Sequence, residues 1–203
     1  ICNWTDDNQA DAMVISSRGR SRIQVFFTGE IANKVLEYSK TCPIWLIKGS
    51  VKNRGVLLAV DHSANAMRAV DHCGFMLAGT GTNVTVFHAN RDLKRFVPKE
   101  VVEEFPEFKK FFARKAGEVV APYLKKSKEI LLKAGLTERQ ITIKAIDGSR
   151  NTARDILDMA RSNSIGTVVL GKRGHSNVAD FSMGSIARKV LDGASDMAIC
   201  MVP

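Results

Sequence analysis

The chain repeats itself at a separation of 155 residues, and that repeat limits its fold more than any other feature. Val14-Ile15-Ser16-Ser17-Arg18-Gly19 lies over Val169-Leu170-Gly171-Lys172-Arg173-Gly174. Ten positions beyond the last glycine of each comes another, Gly29 and Gly184. Ile31 to Leu36 then matches Ile186 to Leu191, and each stretch ends in an apolar run, Cys42 to Ile47 and Met197 to Val202. Glycines held in register over such a length mean two homologous units. The units are unequal. Residues 1–50 hold only the final part of a domain, whereas 51–203 hold a whole one. Gly49 to Arg54 forms a polar hinge of six residues, which spans at most about 20 Å, so the two closing strands must lie close together.

Within 51–203, apolar runs alternate with helical patterns. Val56 to Val60, Val84 to His88, Ile141 to Ala145, Thr167 to Leu170 and 197–202 read as five strands. Between them, Met67, Val70, Gly74 and Leu77 recur at helical spacing. Helices are expected from about Phe112 to Lys133, over 152–162 with Ala153, Ile156, Leu157 and Ala160 inward, and over 185–193. Strands alternating with helices give right-handed βαβ units, hence an α/β fold with an open parallel sheet covered on both faces.

Composition narrows the functional classes. With 45% hydrophobic and 25% charged residues the chain is globular, not disordered. The scattered cysteines Cys2, Cys42, Cys73 and Cys200 suggest neither a disulfide framework nor a zinc site and point to reduced thiols in the cytoplasm. No signal peptide or membrane span is expected, and a start at Ile1 suggests that N-terminal sequence precedes this chain. The net charge of +9 raises nucleic acid as a partner. Most of the excess lies over 91–133, however, where acids interrupt the bases, as on a solvated helical face. Nucleic acid is therefore disfavoured.

Two glycine patterns mislead. Gly79-Thr80-Gly81 precedes a strand and opens no helix, so it reads as a turn. Gly166 to Arg173 resembles a phosphate-binding P-loop, but Thr-Val-Val-Leu between its glycines forms a strand and cannot wrap a phosphate. The pattern that survives is Gly171-x2-Gly174-x9-Gly184-Ser185, running from the end of the fourth strand to the start of the last helix. Glycines let backbone amides approach an anion, and the helix start attracts one. Ser185 can cap that helix and donate to the same phosphates. A turn-rich loop is the plainer alternative.

Asp61 ends the first strand and Gly171 the fourth. In open α/β sheets ligands bind beyond the strand ends where strand order reverses. If the two strands are neighbours, Asp61 and the glycine loop face one crevice. Asp61 could instead cap the following helix, with Ser63 as its rival. Lys172 and Arg173 are placed to reach phosphates or to stay solvated. His175 and Ser176 could line the loop, Val178 and Phe181 could cover the crevice, and His88 reads as a packed histidine.

These residues resemble the universal stress protein family. The resemblance rests on Val60-Asp61-His62-Ser63 with Ala66 and Ala69, on His88-Ala89, and on the glycine series. It covers nearly all of 55–203, with 10–48 as the tail of another copy. It implies a Rossmann-like sheet of order 3-2-1-4-5 that binds ATP or a related adenine nucleotide, with Mg²⁺ accompanying the phosphates. Asp61 would contact adenosine, and backbone near Ala59, Val60 and Ala89 would flank the base. Gly171, Gly174, Gly184 and Ser185 would hold ribose and phosphates, with Leu170, Lys172, Arg173 and Ile186 beside them counted as nucleotide-binding. Members commonly dimerise through their last strands. Independently, an edge as apolar as Ile44 to Ile47 needs cover, and pairing it with Met197 to Val202 supplies that cover as an intrachain pseudo-dimer. A homo-oligomer is a further option.

The expectation is a tandem stress-response sensor or regulatory module. Residues 1–50 are the C-terminal part of a degenerate first domain and 51–203 a complete one. Ser16 and Glu30 stand where the glycine series has Gly171 and Ser185, and a carboxylate at that helix start would repel a triphosphate. No general base can be placed, so ATP hydrolysis would at most be slow. The alternatives are a weak ATPase or phosphotransferase, and a nucleotide-free dimeric scaffold using the basic helical surface.

Overall fold

Side chains alternate between the two faces along the central strands, so that each of these strands feeds two cores. Leu57, Val168, Leu170, Ile199 and Met201 point to one side; Val56, Leu58, Val169, Cys200 and Val202 point to the other. A sheet apolar on both faces must carry a layer of helices on each. The computed structural model describes residues 1–17, 29–91, 106–174 and 183–203.

The elements are α1 (Cys2–Asp7), β1 (Met13–Ser16), α2 (Glu30–Tyr38), β2 (Ile44–Lys48), β3 (Gly55–Ala59), α3 (Ala64–Leu77), β4 (Val84–Arg91) and α4 (Pro106–Lys133). A short 3₁₀ turn (Glu138–Gln140) then leads to β5 (Ile141–Ser149), α5 (Thr152–Ser162), β6 (Ile165–Gly171), α6 (Ser185–Gly193) and β7 (Met197–Val202). The fold is α/β, with one mostly parallel sheet of seven strands in the order β1-β2-β7-β6-β3-β4-β5. Every pairing is parallel except β2 with β7, where Trp45 lies opposite Cys200 and Leu46 opposite Ile199. β7 is buried at all six positions because strands flank it and both cores enclose it.

Helices α2, α5 and α6 cover one face through Val35, Leu36, Ile156, Leu157, Val190 and Leu191. The other face is covered by α3, through Ala66, Ala69, Val70, Cys73 and Leu77, and by α4, through Val120, Leu124 and Leu131. That second layer thins out over β1, where Val14 is 67% exposed.

Several boundaries differ from those read off the sequence. Helix α4 begins at Pro106, inside the charged run, because proline fits a first helical turn whose amides lack partners. Strand β5 continues to Ser149 and β4 to Arg91, where paired backbone sustains polar residues that an apolar pattern cannot reveal. Gly79 and Gly81 sit in the turn before β4 with φ of 72° and 70°. Among the described residues no helix is long and apolar enough to cross a membrane.

Candidate functional site

β3 and β6 are neighbours in register, Ala59 beside Leu170, so their carboxyl ends open side by side. Beyond them lies a cavity of about 870 Å³. Its walls include Ala59, Val60, Asp61, Ala89, Leu170, Gly171, Arg173, Gly174, Gly184, Ser185 and Ile186. Local hydrogen bonds shape this rim. The Val60 amide donates to Phe87 O at 2.9 Å, the Lys172 amide to Val202 O at 2.6 Å, and the Gly184 amide to Lys172 O at 2.9 Å. The last of these folds the start of α6 back onto the glycine loop.

Asp61 does not cap α3. Ser63 does, its hydroxyl accepting from the Ala66 amide at 3.1 Å. One Asp61 oxygen accepts from the Ser63 amide at 3.0 Å, and the other faces the loop, 2.9 Å from where a Gly174 Cβ would stand. A side chain at Gly174 would therefore collide with the carboxylate. Gly171 is required for a different reason, since its Cβ would lie 2.8 Å from the Asn65 carbonyl carbon and 3.0 Å from the Ala66 nitrogen. Gly184 is the N-cap of α6, and no side chain caps that helix. Ser185 is thus its first residue and not its cap, which corrects one expectation. The reason is the extended backbone of Gly184 (ψ 151°), which already turns the chain into the helix.

Lys172 also departs from expectation. It is absent from the cavity wall and is buried on the other side of the loop. Its ammonium donates to Glu37 O at 2.9 Å and Ser39 O at 2.7 Å, at the end of α2. Burial, and secondarily Arg173, pushes it down to about 8. The helix end attracts the cation because its last carbonyls lack amide partners.

His88 is buried, with Nδ1 2.6 Å from Val60 O and Nε2 2.9 Å from Asn90 Oδ1. Among the described lining residues Asp61 is the one carboxylate, against the guanidinium groups of Arg91 and Arg173, so the hollow favours an anion. No group of three or more His, Cys, Asp or Glu among the described residues could hold a metal ion. His175, Ser176, Val178 and Phe181 lie outside the described residues.

The sequence also missed part of the far wall. Asn90 and Arg91 line it because β4 runs on past His88; Thr152 and Ile156 line it from the first turns of α5. Ile156 was legible as an inward position of its helix but not as a wall of this hollow.

Comparisons with known proteins agree with this architecture. The model of the universal stress protein family matches residues 52–199. Universal stress protein UspA from Lactobacillus plantarum superposes with a TM-score of 0.61 at 16% identity, over 75% of this chain and 99% of that one. A universal stress protein solved in complex with cAMP gives 0.53 at 18% identity, over 74% and 97%. One from Archaeoglobus fulgidus DSM 4304 gives 0.65 at 20% identity; it spans 98% of this chain, which in turn covers 64% of it. No curated protein matches the chain.

Proposed function

Because the chain belongs to the universal stress protein family, we propose that its cavity binds an adenine nucleotide, ATP foremost, and that the protein works as a stress-response sensor or regulatory module. The observation that carries this reading is the Asp61 carboxylate standing against Gly174 across one hollow, between adjacent strand ends. The acid suits ribose hydroxyls, which donate to it. The loop and the bare start of α6 suit phosphate, whose charge meets backbone amides and the positive helix end. Backbone around Ala59, Val60 and Ala89, with its small apolar side chains, flanks the base, while Leu170, Gly171, Arg173, Gly174, Gly184, Ser185 and Ile186 surround ribose and phosphates. Magnesium would enter with the phosphates, held by their oxygens and by water, since Asp61 is the lone carboxylate described there. The cAMP complex of a related fold supports the ligand class.

In this reading 51–203 is the complete domain and 1–50 the end of a degenerate first copy. The strand series β5-β4-β3-β6-β7 supports the order 3-2-1-4-5 for the complete unit, and the antiparallel β2–β7 pair supports an intrachain pseudo-dimer. Arg188 donates to Asn33 Oδ1 at 3.3 Å; the two positions correspond in the 155-residue repeat, as expected where a pseudo-twofold axis passes. The four free cysteines support a reducing compartment, the cytoplasm.

A thermal-shift titration with ATP, ADP, AMP and cAMP, with and without Mg²⁺, tests the proposal. Saturation to a hundredfold over Kd should stabilise the fold by about 2.7 kcal/mol. Asp61→Ala and Gly184→Glu should each remove the shift. An unchanged shift in both variants, or none in the parent protein, sinks the assignment.

A further inference from the structure

Among the described residues between β6 and α6, Arg173, Gly174 and Gly184 line the cavity from one side and Lys172 does not. On the other side Lys172 leaves its own unit and plugs into the last turn of α2, bonded to Glu37 O and Ser39 O. Its backbone carbonyl meanwhile holds the Gly184 amide, at the start of α6, and its backbone amide bonds to the end of β7. One residue therefore joins the cavity rim, the helix start at that rim and the earlier segment of the chain.

The connection is matched in the opposite direction. Lys48 of β2, only 2% exposed, donates to Leu191 O at 2.6 Å, near the end of α6. Each of the two helices thus receives a buried lysine from the other segment at its carboxyl end. Between these points Arg188, one turn into α6, pairs with the Glu37 carboxylate at 3.0 Å. α6 is consequently gripped along its length by residues 33–48, while its first turn borders the cavity.

We propose that Lys172 is a positioning residue that holds the glycine loop through α2, so that occupancy of the cavity and docking of residues 1–48 are coupled. The proposal rests on the nucleotide reading for the identity of the ligand but not for the link itself. Lys172 does not itself line the cavity, so it acts through the Gly184 amide and the loop backbone. The groups that face it are Arg173 on its own loop, Cys2 on α1 and Glu37 on α2, the last already engaged by Arg188. Burying an ammonium costs desolvation, consistent with its shift to about 8, and the two carbonyls at the negative helix end offset that cost. Undocking would return the ammonium to water. Docking of the earlier segment and the geometry of the loop backbone thus meet in one buried side chain, and any ligand that prefers one loop geometry biases both.

Hydrogen exchange on the whole chain tests this. In the parent protein ATP should slow exchange of the amides of 36–39, which lie outside the cavity wall. Lys172→Met should abolish that protection, weaken ATP binding about fivefold or more, and speed exchange of the Gly184 amide without ligand. Protection at 36–39 cannot follow from a purely structural role of Lys172, because it is read within one protein with and without ATP. If ATP binds, Asp61→Ala abolishes binding, and yet 36–39 exchange is unaffected by ATP, the coupling is refuted while the nucleotide reading stands. If the parent binds no nucleotide, that reading falls, and the link is judged without ligand. Faster exchange at both Gly184 and 36–39 in Lys172→Met then supports it, and an unchanged Gly184 amide overturns it. Should Lys172→Met not fold, the exchange difference in the parent protein decides alone.

Discussion

Helices α2 and α6 are built alike and placed differently. Each is nine residues long, and each begins behind a glycine with extended backbone, Gly29 (ψ 154°) and Gly184 (ψ 151°). Each follows a strand of the same sheet. Yet α6 opens onto a cavity, while the start of α2 carries Glu30, 82% exposed at its side chain and paired with Lys34 at 2.7 Å. The neighbours account for the difference. β6 lies between β7 and β3, so its end meets Asp61 and the start of α3. β1 is the edge of the described sheet and pairs only with β2. The proposed anion site thus draws on two adjacent strand ends and not on a glycine bend alone. At the start of α2 the Glu30 carboxylate stands where an anion would have to sit.

The sharpest way to break this comparison is to give each strand end a bulky residue. At Gly171 a valine would drive its Cβ into Asn65 and Ala66 backbone at 2.8 to 3.0 Å, so α3 must shift. Overpacking against backbone should cost about 3 kcal/mol, near the top of the usual range. Ser16→Val, at an exposed edge position, should cost about 0.5 kcal/mol or less. Urea denaturation midpoints would show the contrast. Similar losses at both sites would mean that the two strand ends are equivalently packed after all.

A smaller effect separates the segments by pH. Trp45 of β2 donates its indole N–H to His72 Nε2 of α3 at 3.1 Å, which requires that nitrogen to be unprotonated. Burial lowers the pKa of His72, with Asp11 and Asp71 opposing. The sign follows from the charged form being disfavoured in the fold. The contribution is whole above the unfolded value of about 6.5 and is lost as pH falls below it towards the folded value. Acidification from pH 7.5 to 5 should therefore loosen β2 first, seen as a red shift of Trp45 emission in a Trp4→Phe background. His72→Phe should remove the step while costing about 1 kcal/mol at neutral pH for the lost hydrogen bond. A step that persists in His72→Phe would assign it to another group.

What could be read in advance depends on whether a residue's role is set nearby. The limits of α6 and β7 were legible because a glycine and an unbroken apolar run mark them. The proximity of the closing strands followed from a six-residue hinge. The cap of α3 could only be narrowed to Asp61 or Ser63, since both are good caps and the choice depends on where the loop comes to lie. Lys172 and Lys48 were opaque for a stronger reason. A lysine among glycines looks like a phosphate ligand, and a lysine ending an apolar strand looks like a solvated tip. Both are buried by a helix more than 130 positions away in sequence. Orientation imposed by a distant segment leaves no trace in local spacing.

The finest test leaves the fold nearly untouched. A Cβ at Gly184 would meet the Gly174 nitrogen and Lys172 O at 3.5 Å, ordinary contact, and one at Gly29 would meet only Ser17 O at 3.5 Å. Packing thus tolerates alanine at both N-caps, and each substitution should cost about 0.5 kcal/mol from the weaker cap. The two variants should be close to equal in thermal midpoint without ligand. They should separate once ATP is added. Gly184→Ala puts a methyl group beside the amides proposed to meet phosphate and should reduce the ATP-induced shift, whereas Gly29→Ala should keep it whole. Equal shifts in the two variants would mean that the glycine before α6 serves only to turn the chain, as its counterpart before α2 does, and that the phosphates would have to be held elsewhere in the cavity.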